Sequence, residues 1–436
     1  MSYFNMIPDL DLESGLKPLF SDEYILAFYN KFCDVIKSQT WKIKRGKNAR
    51  YVAEDFLKVF FFSEITGRSM DHASEALNRF YLRKKRGKRK KFADGRKRRE
   101  IPHQTDVNKF LKKIGLEKAR RLLRECLDYQ LQECLKLNII SNQVNVLVDF
   151  TEHGYYGKRN DKMIKGTNRL KGTKKMRHYL GFSLLSKRTH VFGGLEHVAK
   201  GQSKTPLIAQ FLDHLVTVGL KAGYTIFDRE FYDARLIQQI KERKINVITP
   251  VKTYKKIKRF VKEYLEGKGN RIRKYRISSA PGKKQGYSQS VYLVLCAKKN
   301  YTLLGIKRDV KRGKLTLNDA AKLIFALLTT EKPKVNKSSW ALRIVHLYKT
   351  RWFIDTSFSD LNRIARRWKS KYDNVRYLDV LMRMLLYNSW KIHRTILKKN
   401  RSIKHKTHLW KLVQNQELLV NTFLSSEKKS IETSRY

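Results

Sequence analysis

The sequence predicts an α/β fold in which a mixed sheet carries crossover helices, preceded by an all-helical N-terminal region. Three observations lead there. Helical apolar spacing dominates to about residue 140; from residue 143 short β-branched runs take over; and amphipathic helices then alternate with those runs. Of 436 residues, 41% are hydrophobic and 11% aromatic, enough to build a sizeable core and to exclude a wholly disordered basic tail.

In chain order, Tyr24 to Ile36 and Ala53 to Ile65 have helical spacing, and Ser69 is placed to cap the helix MDHASEALNRF. A further pair of helices begins at Thr105, with DVNKFLKKIG and then LEKARRLLRECLDYQLQECLKL. Helix, short turn, helix suits a DNA-reading motif and a plain helical bundle equally; as a reader it would use Arg68, Lys109, Lys112 and Lys113.

Residues 143–150 (QVNVLVDF) then alternate as a strand, followed by strands at Tyr179 to Leu185 and Val191 to Val198. Pro206 to Val218 is an amphipathic helix, Tyr224 to Asp228 a strand, Ala234 to Arg243 a helix and Asn246 to Val251 a strand. A basic segment to about residue 340 contains strand-like runs at Ser290 to Ala297 and Tyr301 to Ile306. Helical patterns at Trp340 to Arg367 and Leu378 to Ile396 close the series. The expected organisation is a helical region over 1–140, a mixed α/β domain over 141–395 and a basic helical tail over 396–436.

The charge is one-sided. Lys and Arg number 95 against 39 Asp and Glu, a net +56, so the expected partner is a polyanion. The excess is clustered: residues 83–99 hold twelve Lys or Arg in seventeen positions, including Lys84, Lys85 and Arg86, a pattern expected of an exposed phosphate-binding arm. Further basic stretches run from Lys158, with Arg159, to Arg177, from Lys252 to Arg276 and from Lys391 to Lys411. No stretch approaches the ~18 apolar residues of a membrane-spanning helix, and the N-terminal MSYFNMIPDLDLESG does not read as a signal peptide. Cys33, Cys126, Cys134 and Cys296 form no C-x-x-C pair, so buried, reduced thiols are expected.

Asp149 ends the first strand (VLVDF) and Asp228 the fourth (YTIFDREF). Ligands of open α/β sheets gather beyond strand ends, and a charge placed among apolar neighbours requires a cation. Either aspartate alone reads as a turn or capping residue; two at equivalent strand ends point to chemistry. The candidate third carboxylate lies in LYKTRWFIDTSFSDLNRIARR, where Tyr348, Arg351, Asp355 and Asn362 fall three, four and seven residues apart, spacings that put all four on one helical face. His153 and His178 read as packing residues.

The order of strands, VLVDFTEHGYYG, YTIFDREFYDARL and YKTRWFIDTSFSDLN together resemble insertion-sequence transposases of the DDE type, in the branch with the Tyr-Arg-Glu-Lys (YREK) signature Y-x2-R-x3-E-x6-K. The resemblance covers about residues 140–395. It implies an RNase H-like core with a β-rich insertion at about 252–340, before the last catalytic helix, and a DNA transposase that binds terminal inverted repeats and catalyses strand cleavage and strand transfer. Asp149, Asp228 and Asp355 match the catalytic and metal-holding acids, for two Mg²⁺ ions with Mn²⁺ as substitute. Tyr348, Arg351, Asn362 and Arg229 would face DNA with Lys158, Arg159, Lys84, Lys85 and Arg86. Asp355 stands where the family usually has Glu, and Asn362 where it usually has Lys; Glu152, Glu230 and Asp360 rank behind Asp355 because none fits the signature register. The implied partner is double-stranded DNA, at element ends and target, bound by a homodimer in the nucleoid of a prokaryotic cytoplasm, without a membrane. A catalytically impaired, DNA-binding descendant and a related nuclease are the alternative readings.

Overall fold

A computed structural model of the chain describes residues 51–66, 69–84, 100–158, 161–167, 172–186, 189–252, 254–278, 287–298, 300–364, 370 and 372–400. The expected helix at Tyr24 to Ile36, Arg68, most of the basic arm, Arg159 and the tail beyond residue 400 lie outside them. The chain divides into two compact units, Met1–Gln130 with Ser359–Tyr436, and Leu131–Phe358.

The first unit contains helices α1 (Ala53–Thr66), α2 (Met70–Lys84), α3 (Gln104–Lys113), most of α4 (Leu116–Lys136) and the long α12 (Asp373–Asn400). Ser69 caps α2 as expected, its Oγ accepting the His72 N–H at 3.1 Å. Phe56 stacks on Phe110 at 4.6 Å between ring centroids. The C-terminal helix is stitched to this set through buried polar groups. Asn374 Nδ2 donates to the carbonyls of Leu111 at 2.8 Å and Lys112 at 3.2 Å, and Gln130 donates to the Leu385 carbonyl at 3.1 Å. Asp379 and Arg383, one turn apart and both buried, pair at 2.6 Å.

The second unit is built on a nine-stranded mixed sheet. Its strands are β1 (Gln143–Gly154), β2 (Lys165–Gly166), β3 (Lys175–Ser186), β4 (Thr189–His197), β5 (Lys221–Phe227), β6 (Asn246–Pro250), β7 (Ile272–Ser278), β8 (Ser288–Ala297) and β9 (Ile324–Thr329). They lie in the order β2-β3-β1-β5-β6-β9-β8-β7, with β4 on β3. β1, β5 and β6 are parallel, joined by crossover helices α5 (Lys204–Thr217) and α6 (Ala234–Glu242); the other pairings are antiparallel. The parallel strands are near-continuous apolar runs, as burial on both faces requires. Helix α5 packs on one face, its Phe211 stacked on Phe182 at 3.9 Å.

The segment expected as a β-rich insertion is mixed, and its strands β7, β8 and β9 continue the main sheet past β6. Helix α7 (Lys255–Leu265) precedes β7, and α8 (Leu303–Lys311) and α9 (Leu317–Lys322) lie between β8 and β9 in the chain. The run Tyr301 to Ile306, expected as a strand, opens α8 instead. Thr302 caps it, its Oγ1 accepting the Gly305 N–H at 3.0 Å, and Leu303 and Ile306, three apart, share the buried side.

Candidate active site

Strand register sets the first two acids side by side. In the parallel β1–β5 pair, Val148 stands opposite Phe227, so the next residues, Asp149 and Asp228, leave the pair together on the same face. Asp149 is 9% exposed, and its Oδ1 accepts the Phe150 N–H at 2.8 Å. Asp228 is half-buried and caps a 3₁₀ turn, Arg229–Phe231, through the Arg229 N–H at 2.6 Å. Its backbone carbonyl accepts the Thr249 hydroxyl at 3.1 Å, tying the turn to β6.

The third acid arrives on a broken helix. The expected single helix Trp340 to Arg367 is two, α10 (Lys337–Lys349) and α11 (Trp352–Ile364). At the joint the backbone bonds tighten to i→i−3, from Thr350 to Leu347, Arg351 to Tyr348, Phe353 to Thr350 and Ile354 to Arg351. The Thr350 hydroxyl also donates to the Leu347 carbonyl at 2.6 Å. Tyr348, Arg351 and Asp355 therefore come from the end of one helix, the turn and the start of the next. This corrects the expectation of one straight helical face.

α11 reaches the sheet because β3 has a glycine beneath it. Gly181 is the register partner of Asp149, and a Cβ there would collide with the Phe358 ring. Phe353 stacks on His190 and Phe358 packs near Phe192, on the same face.

Arg351 joins the acids. Its Nη1 donates to Asp149 Oδ2 at 2.8 Å and to Asp355 Oδ1 at 3.2 Å, and Nη2 lies 3.0 Å from Asp355 Oδ2. Burial would lower the guanidinium, but the charges of Asp355, Asp149, Tyr348 and Asp228 outweigh it and hold its pKa above the ordinary value. Burial pushes the Asp149 carboxyl up to about 7, the neighbouring Asp355 adding to the rise and Arg351 opposing it. Burial likewise raises the Tyr348 phenol, on which Arg351 and Asp228 both act. Asp149, Asp228, Asp355, Tyr348 and Arg351 are thus one electrostatic cluster.

Of the remaining expected residues, Arg229 and Lys158 are described in the second unit and do not join it. Asn362 lies further along α11, exposed, in the part grouped with the first unit. Arg229 and Lys158 are exposed, and the Lys158 carbonyl accepts Lys175 Nζ at 3.1 Å. Lys84 ends α2, while Lys85, Arg86 and Arg159 lie outside the described residues. His153 packs edge-on against Tyr179 and His178 stacks on Phe150, as packing histidines; His178 also bonds Lys165, and neither that bond nor Gly181 carried a sequence signal.

Three aspartates without sulfur or imidazole are a donor set for a hard divalent cation, and a buried carboxylate answered by a guanidinium is a place where positive charge is needed. In that chemical sense the residues fit. Among the described residues, however, no three His, Cys, Asp or Glu side chains are assembled as a metal cage, and Arg351 spans Asp149 and Asp355. No helix among the described residues is long and apolar enough to cross a membrane.

Residues 143–389, more than half of the chain, match the family model described as a transposase DDE domain. No curated protein matches the chain.

Proposed function

The chain belongs to the transposase DDE domain family, and from that membership we propose that it is the DNA transposase of an insertion sequence, in the YREK branch, acting through an RNase H-like core. One observation carries the site assignment. Asp149 and Asp228 leave adjacent parallel strands together, and Arg351 links Asp149 to Asp355 on α11.

Asp149, Asp228 and Asp355 would hold two Mg²⁺ ions, or Mn²⁺ in their place, which supply activation of the attacking oxygen and stabilisation of the leaving one. The protein's own part is to place the DNA strand. The planar fork of Arg351, which now meets two carboxylates, equally matches two oxygens of a phosphodiester, and Tyr348 beside it orients the same backbone. Water attacks the phosphodiester at the element's end and releases a 3′-OH, which then attacks a target phosphodiester and displaces the 3′ oxygen of the target strand.

Clustered carboxylates repel a polyanion, and the net +56 answers that repulsion. The arm at 83–99 with Lys84, Lys85 and Arg86, the stretch from Lys158 and Arg159, Arg229, and Asn362 are assigned to DNA contact. Lys109, Lys112 and Lys113, all exposed around the end of α3, join them if the N-terminal helices read DNA. The domain scheme is a helical DNA-binding region over 1–140, a catalytic domain over 141–395 and a basic tail over 396–436. The active form is a homodimer on paired terminal repeats, in a prokaryotic nucleoid.

A second reading, a DNA-binding descendant without cleavage, is favoured by Asp355 and Asn362 standing where the branch has Glu and Lys. One experiment separates the two: incubation of purified protein with a duplex carrying the element's end in Mg²⁺ or Mn²⁺. Cleavage that disappears in Asp149→Ala and Asp228→Ala, with binding kept, supports the transposase. Binding without cleavage by the parent protein supports the descendant, and full cleavage by both variants overturns the site assignment.

A further inference from the structure

Where β1 leaves its pairing with β5, it carries two chemistries on its two faces. Asp149 belongs to the acidic face, while Phe150, the next residue, turns to the other. There Phe150 is stacked between His178, at 4.1 Å, and Phe231, at 4.9 Å, and Phe231 stacks in turn on Phe227 at 5.2 Å. Two lysines sit on this column. Lys204, the first residue of α5, holds its ammonium 4.3 Å from the Phe231 ring centroid and 5.7 Å from that of Phe150, and donates to the Glu230 carbonyl. Lys165, on β2, lies 2.9 Å from His178 Nδ1.

Both lysines are half-buried. Burial lowers the pKa of each below the ordinary lysine value. Glu152 and Glu230 oppose that at Lys165, where Lys204 adds to it, and Glu230 and Asp233 oppose it at Lys204, where Lys252 adds to it. Each ammonium has three N–H donors, of which the bonds to His178 and to the Glu230 carbonyl use one apiece. The remaining donors can serve the oxygens of an anion, and the stacked rings fix where the two ammonium groups stand.

We propose that Lys165 and Lys204, set against the His178–Phe150–Phe231 column, form a binding site for a DNA backbone phosphate on the face of β1 opposite the three aspartates. The assignment rests on the reading of the chain as a DNA transposase. It gives the strand a hold one residue away from Asp149 that involves none of the acids, so grip and cleavage are separable.

The test uses the full chain. Amines are labelled by reductive methylation with and without a saturating short DNA duplex, and modification is mapped by mass spectrometry in the parent and in an Asp149→Asn/Asp228→Asn variant. Lys165 and Lys204 are expected to lose reactivity several-fold with duplex in both proteins. In a Lys165→Met/Lys204→Met variant the plot of log affinity against log salt is expected to flatten by about one unit for each phosphate that is no longer neutralised. Unchanged labelling while the duplex is bound overturns the proposal, as does absence of duplex binding, or protection by inorganic phosphate but not by duplex. Failure of the transposase reading shows separately, as absence of cleavage by the parent protein with the lysines still protected.

Discussion

Arg351 and Asp149, 202 residues apart in sequence, meet at 2.8 Å across the end of the sheet. The contact answers the charge of a buried acid with a guanidinium that also holds Asp355. Because the fold raises the Asp149 carboxyl to about 7, the folded state binds that proton more tightly than the unfolded chain. The sign follows: stability from this group is greatest below its ordinary value of about 3.9 and declines as pH rises towards about 7. In Arg351→Ala the decline should steepen, and in Asp149→Asn it should vanish. Urea midpoints measured across that pH range, without divalent cations, check this; equal slopes in all three proteins would refute it.

The glycine under α11 gives a packing prediction. Gly181→Ala pushes a methyl group into the Phe358 ring, and overpacking of this kind costs about 1–3 kcal/mol. Since the helix that is displaced carries Asp355, cleavage should fall with stability. Combining the change with Phe358→Ala should cost less than the two single changes together. Additive effects in thermal unfolding would argue against the contact.

Asp355 supplies the reach prediction. Glu is one methylene longer, and Asp355 is 47% exposed at its side chain, so there is room for the extension. Asp355→Glu should retain Mg²⁺-dependent cleavage, whereas Asp355→Ala should abolish it. A cleavage assay in which Asp355→Ala matches the parent removes Asp355 from the site.

In the first unit, Asp379 and Arg383 form a buried pair, and Arg383 also donates to the Leu361 carbonyl at 3.2 Å. Asp379→Ala leaves a guanidinium buried without its carboxylate and should destabilise by about 3–5 kcal/mol. Asp379→Leu with Arg383→Met should recover most of that stability. Equal destabilisation of the single and double variants would show that the pair's charges do not decide the cost.

The parallel centre of the second unit was legible because its strands are continuous β-branched runs and its crossover helices have clean apolar stripes, as at Leu207 to Leu215. Strands β7 and β9 were not, because Lys and Arg are interleaved through Ile272–Ser278, and Ile324–Thr329 follows directly on a helix. Asp228 could be read from its position just past a strand; Asp149 was expected to end its strand, but β1 runs on to Gly154 beside β3, and only the pairing with β5 stops at Val148. The turn at Arg351 could not be read, since local spacing is the same in one helix and in two. The His178–Phe150–Phe231 column with Lys165 and Lys204 draws on β1, β2, β3 and α5, residues with no common period, so only the pairing of the strands assembles it.

β1 is held in register on both sides, by ten residue pairs with β3 and by its parallel pairing with β5. With acid on one face and aromatic and cationic groups on the other, a shift of one residue would exchange them. Insertions or deletions inside Val144–Phe150 are therefore not graded lesions. A single added residue reverses the polarity of the strand's end, turning Phe150 to the side of Arg351 and Asp149 to the side of the lysines. Length in this strand is as much a part of the chemistry as the identity of its aspartate.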